Sequence, residues 1–68
     1  MSGNDVRNLQ QRLNKLGFKV YVSGKYYRTS AIAVKNFQKA NGLPVTGVVD
    51  YKTWETIINL THYMSYVF

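Results

Sequence analysis

From Asp5 to Gly17 the chain reads DVRNLQQRLNKLG, and its apolar residues keep a helical beat. Val6, Leu9, Leu13 and Leu16 fall at i, i+3, i+7 and i+10, a single stripe along one side of a helix. Arg7, Arg12 and Lys15 occupy the opposite side. Asn4 or Asp5 is suited to accept the orphan N–H groups of the first turn. Gly17 supplies a left-handed stop, and Phe18 is then placed to fold back onto Leu13.

The beat is lost in FKVYVSGKYYRT, residues 18–29. Val20, Tyr21 and Val22 favour extended backbone, and Ser23-Gly24 marks a turn, so this segment is expected to be an irregular loop with a short strand or a pair of extended stretches. Helical spacing returns in SAIAVKNFQKAN, with Ser30 as the expected N-cap. Ala33, Val34, Phe37 and Ala40 form its inward stripe, while Lys35 and Lys39 point away. Gly42 stops this second helix, Leu43 can reach back to Phe37, and Pro44 bars continuation because it has no backbone donor. Thr46-Gly47 turns the chain.

Asp50 is the expected cap of a third helix, DYKTWETIINL, and Val49 and Trp54 have the spacing of a hydrophobic staple around it. Trp54, Ile57, Ile58 and Thr61 are expected to make its buried face. The last residues, THYMSYVF, carry no clear period and read as a helical extension, a packed tail or the start of a linker. The pattern therefore predicts an all-α fold, a compact three-helix bundle with an irregular loop between helices 1 and 2. The domain is expected over residues 4–60, with 61–68 as tail or linker. A faint internal echo accompanies it: Val6-x-x-Leu9-Gln10 and Val34-x-x-Phe37-Gln38 share one spacing, too short to establish a repeat architecture.

Sixty-eight residues hold one small domain. At 46% apolar and 15% aromatic the composition is that of a folding chain rather than a disordered one. Without cysteine, neither a disulfide nor a thiolate zinc site can hold so small a fold, which must rest on packing. No apolar run approaches the roughly 18 residues of a membrane span, so no membrane insertion is expected. The start MSGNDVRN lacks the zones of a secretory signal, which fits a cytosolic protein, a leaderless phage product or an excised domain. A net charge of +6 favours anionic partners such as nucleic acid, acidic lipid or wall polymer. The basic residues are scattered, however, and read equally well as ordinary solubilising charge.

Self-contained catalysis finds little support. Asp5 and Asp50 sit where caps are needed, Glu55 lies in an early helical turn, and His62 stands alone in the tail. No phosphate loop, nucleophile elbow or metal-ligand pair is present, so no catalytic residue, metal or cofactor is expected. Nor does a helix-turn-helix nucleic-acid reader fit well. Its recognition helix would be DYKTWETIINL, with Lys52 as the only base, after a linker longer than the usual turn.

DVRNLQQRLNKLGF, then AVKNFQKANGLPVTGVVDYKTWETI, resembles the bacterial peptidoglycan-binding domain of the three-helix type. That family runs through V-x-x-L-Q-x-x-L-x-x-L-G-[FY], A-V-x-x-F-Q-x-x-x-G-L-x-x-x-G and D-x-x-T-W, and the likeness covers roughly residues 4 to 60. Before helix 2 the family usually has D-G-x-[FY]-G-x-x-T, where this chain has SGKYYRTS. Ser23 thus replaces Asp, Tyr27 replaces a glycine that can take positive φ, and Ser30 replaces the capping Thr. The resemblance implies a non-catalytic module that anchors a covalently linked cell-wall hydrolase to peptidoglycan, in the cell wall or in extracellular or periplasmic space. The alternative is a small helical adaptor for protein partners, since fold does not dictate function.

Peptidoglycan, as glycan strand or stem peptide, offers sugar faces, amides and carboxylates. Aromatic rings cover the apolar face of a sugar, and cations meet carboxylates. KYYR supplies both in one loop, and Tyr51-Lys52 opens helix 3. The expected glycan-binding residues are Tyr27, Arg28, Tyr51 and Lys52, with Lys25 and Tyr21 as outer members. Tyr26 is expected to plug the core, and Trp54 to pack inward rather than serve as a sugar platform.

Overall fold

A computed structural model describes residues 3–62. It contains three helices, α1 (Gly3–Lys15), α2 (Arg28–Ala40) and α3 (Tyr51–Thr61), and no strand among the described residues. The loop between α1 and α2 is irregular, as the broken periodicity indicates, with neither a strand nor a bridge in it. Of the C-terminal segment, Thr61 closes α3 and is buried, and residues 63–68 lie outside the described part.

α1 packs against both other helices. Val6, Leu9 and Leu13 from α1, Ala33, Val34 and Phe37 from α2, and Ile57 from α3 form the buried apolar set. Each large side chain among them contributes about 1.5–3 kcal/mol by leaving water. Leu16, Phe18, Val20, Leu43, Val49 and Trp54 close around them, half-buried. Phe18 meets Phe37 edge to face, with ring centroids 5.6 Å apart and planes at 81°.

Both glycine stops form as the sequence implies. Gly17 has φ +92°, and the Phe18 N–H donates to the Leu13 carbonyl at 2.9 Å. At the end of α2 the Leu43 N–H donates to the Gln38 carbonyl at 2.9 Å, closing the same motif. α3 begins as expected, the Thr53 N–H donating to Asp50 Oδ1 at 2.8 Å.

Other expectations need correction. α1 starts at Gly3, so Asn4 and Asp5 lie inside its first turn rather than before it. α2 starts at Arg28, so its N-cap is Tyr27, which makes no side-chain cap bond. Ser30 is two residues inside that helix and buried. Tyr27 has φ −101°, ordinary for a bulky residue, and no non-glycine among the described residues has positive φ. Ala40 is exposed, and Gln38 and Ser30 take its place on the inward side of α2. On α3 the fully buried line is Thr53, Ile57 and Thr61, one helical turn apart, with Trp54 and Ile58 half-buried beside it.

The missed buried residues are polar, and they carry the architecture. Gln10 and Gln38 are completely buried, each spending its amide on a loop. Gln10 Oε1 accepts from the Ser23 and Gly24 N–H groups at 2.9 and 3.0 Å. Its Nε2 donates to the Lys25 carbonyl and to Ser30 Oγ at 3.1 and 3.0 Å. Gln38 repeats the pattern. Its Oε1 accepts from the Thr46 and Gly47 N–H groups at 3.0 Å each, and its Nε2 donates to the Val48 carbonyl and Thr53 Oγ1 at 3.0 Å each. Among the described residues no buried side-chain nitrogen or oxygen is left without a partner. That satisfaction is what makes two buried amides tolerable in a small core.

Candidate binding face

The glutamine pattern extends the faint echo from two helices to two whole half-units. Gln10, Ser23, Gly24, Tyr27 and Ser30 in one correspond to Gln38, Thr46, Gly47, Asp50 and Thr53 in the other. Ser23 stands seven positions before Ser30, as Thr46 stands seven before Thr53. Within each, the glycine takes a left-handed φ, +78° at Gly24 and +76° at Gly47, and the next helix follows. The two loops face each other, and the Tyr26 hydroxyl bridges them by donating to the Gly47 carbonyl at 2.6 Å. Tyr26 is therefore not a core plug. It is 37% exposed, and partial burial pushes its phenol pKa upward.

Between the loops lies an open groove of about 500 Å³. Gly24, Lys25, Tyr26 and Tyr27 line it from one side, Gly47, Val48 and Val49 from the other, and Val6 of α1 lies between. The walls are mostly apolar. Beyond Val49 a second hollow of about 410 Å³ opens, lined by Asp5, Val49, Asp50, Tyr51 and Trp54. The two share Val49, and Asp5 and Val6 are neighbours on α1, so the hollows adjoin and together make a trough.

The two hollows differ in charge. At one, Lys25 lines the groove, and the Arg7 guanidinium lies against Gly24, where a β-carbon would come within 3.1 Å of Nη2. At the other stand the Asp5 and Asp50 carboxylates. Hydrogen bonds from the Thr53 backbone and side chain hold the Asp50 carboxyl below its ordinary range, so it stays ionised at neutral pH.

The structure divides the sequence-predicted residues. Lys25 and Tyr27 line the groove, and Tyr51 lines the adjoining hollow. Tyr27 and Tyr51 are 60% and 81% exposed, free to meet a ligand. Arg28 and Lys52 are exposed in the first turns of α2 and α3 but line neither hollow. Tyr21, 82% exposed, stands apart from both, in a third hollow with Asn14, Lys19, Val20 and Thr29. There Asn14 pins the loop, accepting from the Val20 N–H at 2.7 Å and donating to its carbonyl at 2.8 Å. Trp54 packs on the core as expected, yet its remaining face lines the trough. Val6, Val48 and the acidic pair were missed. Val48, 62% exposed, follows a turn glycine and has no periodic signature.

Residues 2–57 match the family described as "Putative peptidoglycan binding domain". Two relatives are spore cortex-lytic enzymes, one from Bacillus cereus strain ATCC 14579 and one from Bacillus cereus without that strain designation. Each is 40% identical over 63 residues, covering 91% of this chain and 24% of the relative. The chain thus spans about a quarter of the length of these relatives. No solved structure matches it. With the family pattern running from the first helix into the third, the chain belongs to the peptidoglycan-binding domain family.

Proposed function

We propose that this chain is a non-catalytic adhesion module that holds an attached cell-wall hydrolase on peptidoglycan. Family membership supports the binding role, and the lytic relatives, four times longer than the shared segment, support a linked catalytic domain. The observation that carries the reading is the trough between the two glutamine-pinned loops, bordered by the exposed rings of Tyr27 and Tyr51.

The mechanism is surface complementarity. Tyr27 and Tyr51 offer flat apolar faces to sugar rings, with hydroxyls for hydrogen bonds. Lys25 meets wall carboxylates in the groove, Arg28 and Lys52 add attraction for wall anions from outside both hollows, and Tyr21 is an outlying contact near Thr29. Held by Gln10 and Gln38, the loops lose little freedom on binding, which lowers the entropic cost of a shallow site. Single contacts of this size are weak, and retention comes from the repeated units of the wall acting on a tethered enzyme. Action at the cell wall, extracellular or periplasmic, follows from this role.

Co-sedimentation of the purified chain with insoluble sacculi tests it. Tyr27→Ala combined with Tyr51→Ala should lower the bound fraction about tenfold, the weight of two aromatic contacts, with the helical circular-dichroism spectrum unchanged. Undiminished sedimentation of the double variant would remove this face from the reading. Binding to duplex DNA but not sacculi, lost steeply with salt, would replace the wall with nucleic acid.

A further inference from the structure

The trough is polarised as well as apolar. Lys25 lines one hollow, with the Arg7 guanidinium beside its Gly24, and Asp5 and Asp50 line the other. Val6 and Val48 line the first hollow, and Val49 is common to both. A neutral sugar strand has no use for that arrangement. Opposite charges in two adjoining hollows with apolar walls select a ligand with its own opposite charges, separated by small apolar groups.

We propose that the trough takes a short peptide bearing a free side-chain ammonium at one end and a free carboxylate at the other, the chemistry of an un-cross-linked peptidoglycan stem. This rests on the wall-binding reading and names the part of the wall that enters the trough. Methyl groups of alanine-sized residues lie against Val6, Val48 and Val49. The ligand carboxylate meets Lys25 and the ammonium meets Asp5 and Asp50, while Tyr27 and Tyr51 on the rims remain available to the glycan from which the stem branches.

The arrangement has a consequence for where the module sits. Cross-linking acylates the stem's side-chain amine and removes its positive charge. A neutral amide offers two carboxylates one uncharged donor in place of a full positive charge, so the module favours stems that have not been joined.

The test uses the full 68-residue chain and two synthetic probes, an N-terminally acetylated stem pentapeptide of alanine, γ-linked glutamate, lysine and two alanines with the lysine ε-amine free, and the same peptide acetylated at that amine as well. Chemical-shift titration should show the free peptide moving the Val6, Val48 and Val49 resonances, with acetylation weakening binding about fivefold, the scale of a solvent-facing charge pair. Asp5→Asn and Lys25→Ala should each cause a loss of similar size. Asp50→Asn should do the same while keeping a side chain able to cap α3, so that its effect is not one of unfolding. Equal affinity for both peptides overturns the inference, as does failure of the free-amine peptide to bind or to displace the chain from sacculi that it still sediments with. In that second case wall binding stands and the stem is not its ligand. Loss of sedimentation with sacculi altogether overturns the wall-binding reading itself.

Discussion

The loop that leads into α2 and the loop that leads into α3 are built on the same plan and put to different ends. In each, a buried glutamine receives two successive N–H groups and returns two hydrogen bonds, to a loop carbonyl and to a hydroxyl inside the following helix. The connectors differ, with Gln10 thirteen positions before Ser23 and Gln38 eight before Thr46. The exposed residues differ more. Where the second loop has Val48 and the capping Asp50, the first has Lys25 and the uncapped Tyr27. Hydrogen-bonding chemistry is kept where the side chain pins the loop, glutamine for glutamine and serine for threonine, and abandoned where it faces the trough. Each loop supplies one wall and one sign of charge.

The equivalence is broken most severely by removing a glutamine. Replacing Gln38 with Ala strands the part-buried Thr46 and buried Gly47 N–H groups and the Thr53 hydroxyl, and with a buried unsatisfied donor costing about 1–3 kcal/mol the loss in urea denaturation should be about 3 kcal/mol. Gln10→Ala should cost nearly as much but less, because the bonds to the Ser23 and Gly24 N–H groups are only partly buried whereas that to Gly47 is fully so. If Gln10→Ala leaves the midpoint unchanged, the longer loop is held by Asn14 and the Tyr26 bridge instead, and the half-units are not energetically alike.

The glycines give the next effect. Gly24 and Gly47 share a left-handed φ, +78° and +76°, and alanine there costs about 1–2 kcal/mol on backbone grounds alone. Their surroundings separate them. At Gly47 an added β-carbon meets Lys35 Cε at 2.9 Å, the far end of a side chain that can swing into solvent. At Gly24 it meets the Arg7 guanidinium at 3.1 Å and the Gly3 carbonyl oxygen at 3.4 Å, and the latter is backbone. Gly24→Ala should therefore be the more damaging, lowering the melting temperature further than Gly47→Ala. The reverse order would mean that Lys35 is fixed against the second loop.

How much of this was legible in the sequence follows from which forces leave a periodic trace. The apolar stripes of α1 and α2, the stops at Gly17 and Gly42 and the Asp50 cap were readable because each is a local rule written in neighbouring residues. Gln10, Gln38, Ser30 and Thr53 were not, because polar side chains default to the surface and their partners lie up to 20 positions away. The signal existed in the matched Ser23-to-Ser30 and Thr46-to-Thr53 spacings, which extend the shared Val-x-x-apolar-Gln pattern. For the candidate face, composition pointed to Lys25, Tyr27 and Tyr51, which the fold brings to one trough. It could not tell that Tyr21 belongs elsewhere, since that depends on how Asn14 turns the loop. Nor could it find the acidic hollow, because Asp5 and Asp50 were already accounted for as helix-terminal residues.

The smallest effect concerns the residues that differ at the two helix starts. Tyr27 has extended backbone suited to an N-cap but no acceptor, so Tyr27→Asp supplies α2 with the cap that α3 already has and should stabilise the chain by about 0.5–1 kcal/mol at neutral pH. The same change removes an aromatic rim and places a carboxylate beside Lys25, so sacculus binding should fall as stability rises. Acid should erase the gain, and Asp50 fixes the sign. Its carboxyl, lowered from 3.8 by the Thr53 hydrogen bonds, contributes fully above its unfolded value and loses that contribution as pH falls through the lower folded value. A new aspartate in the equivalent place should behave alike, and the advantage of Tyr27→Asp over wild type should vanish in denaturation curves taken below about pH 3. Higher stability together with undiminished wall binding would show that Tyr27 is kept for some role other than contact with the wall. No gain in stability would show that the orphan N–H groups of α2 already have acceptors, and the two helix starts would be alike after all.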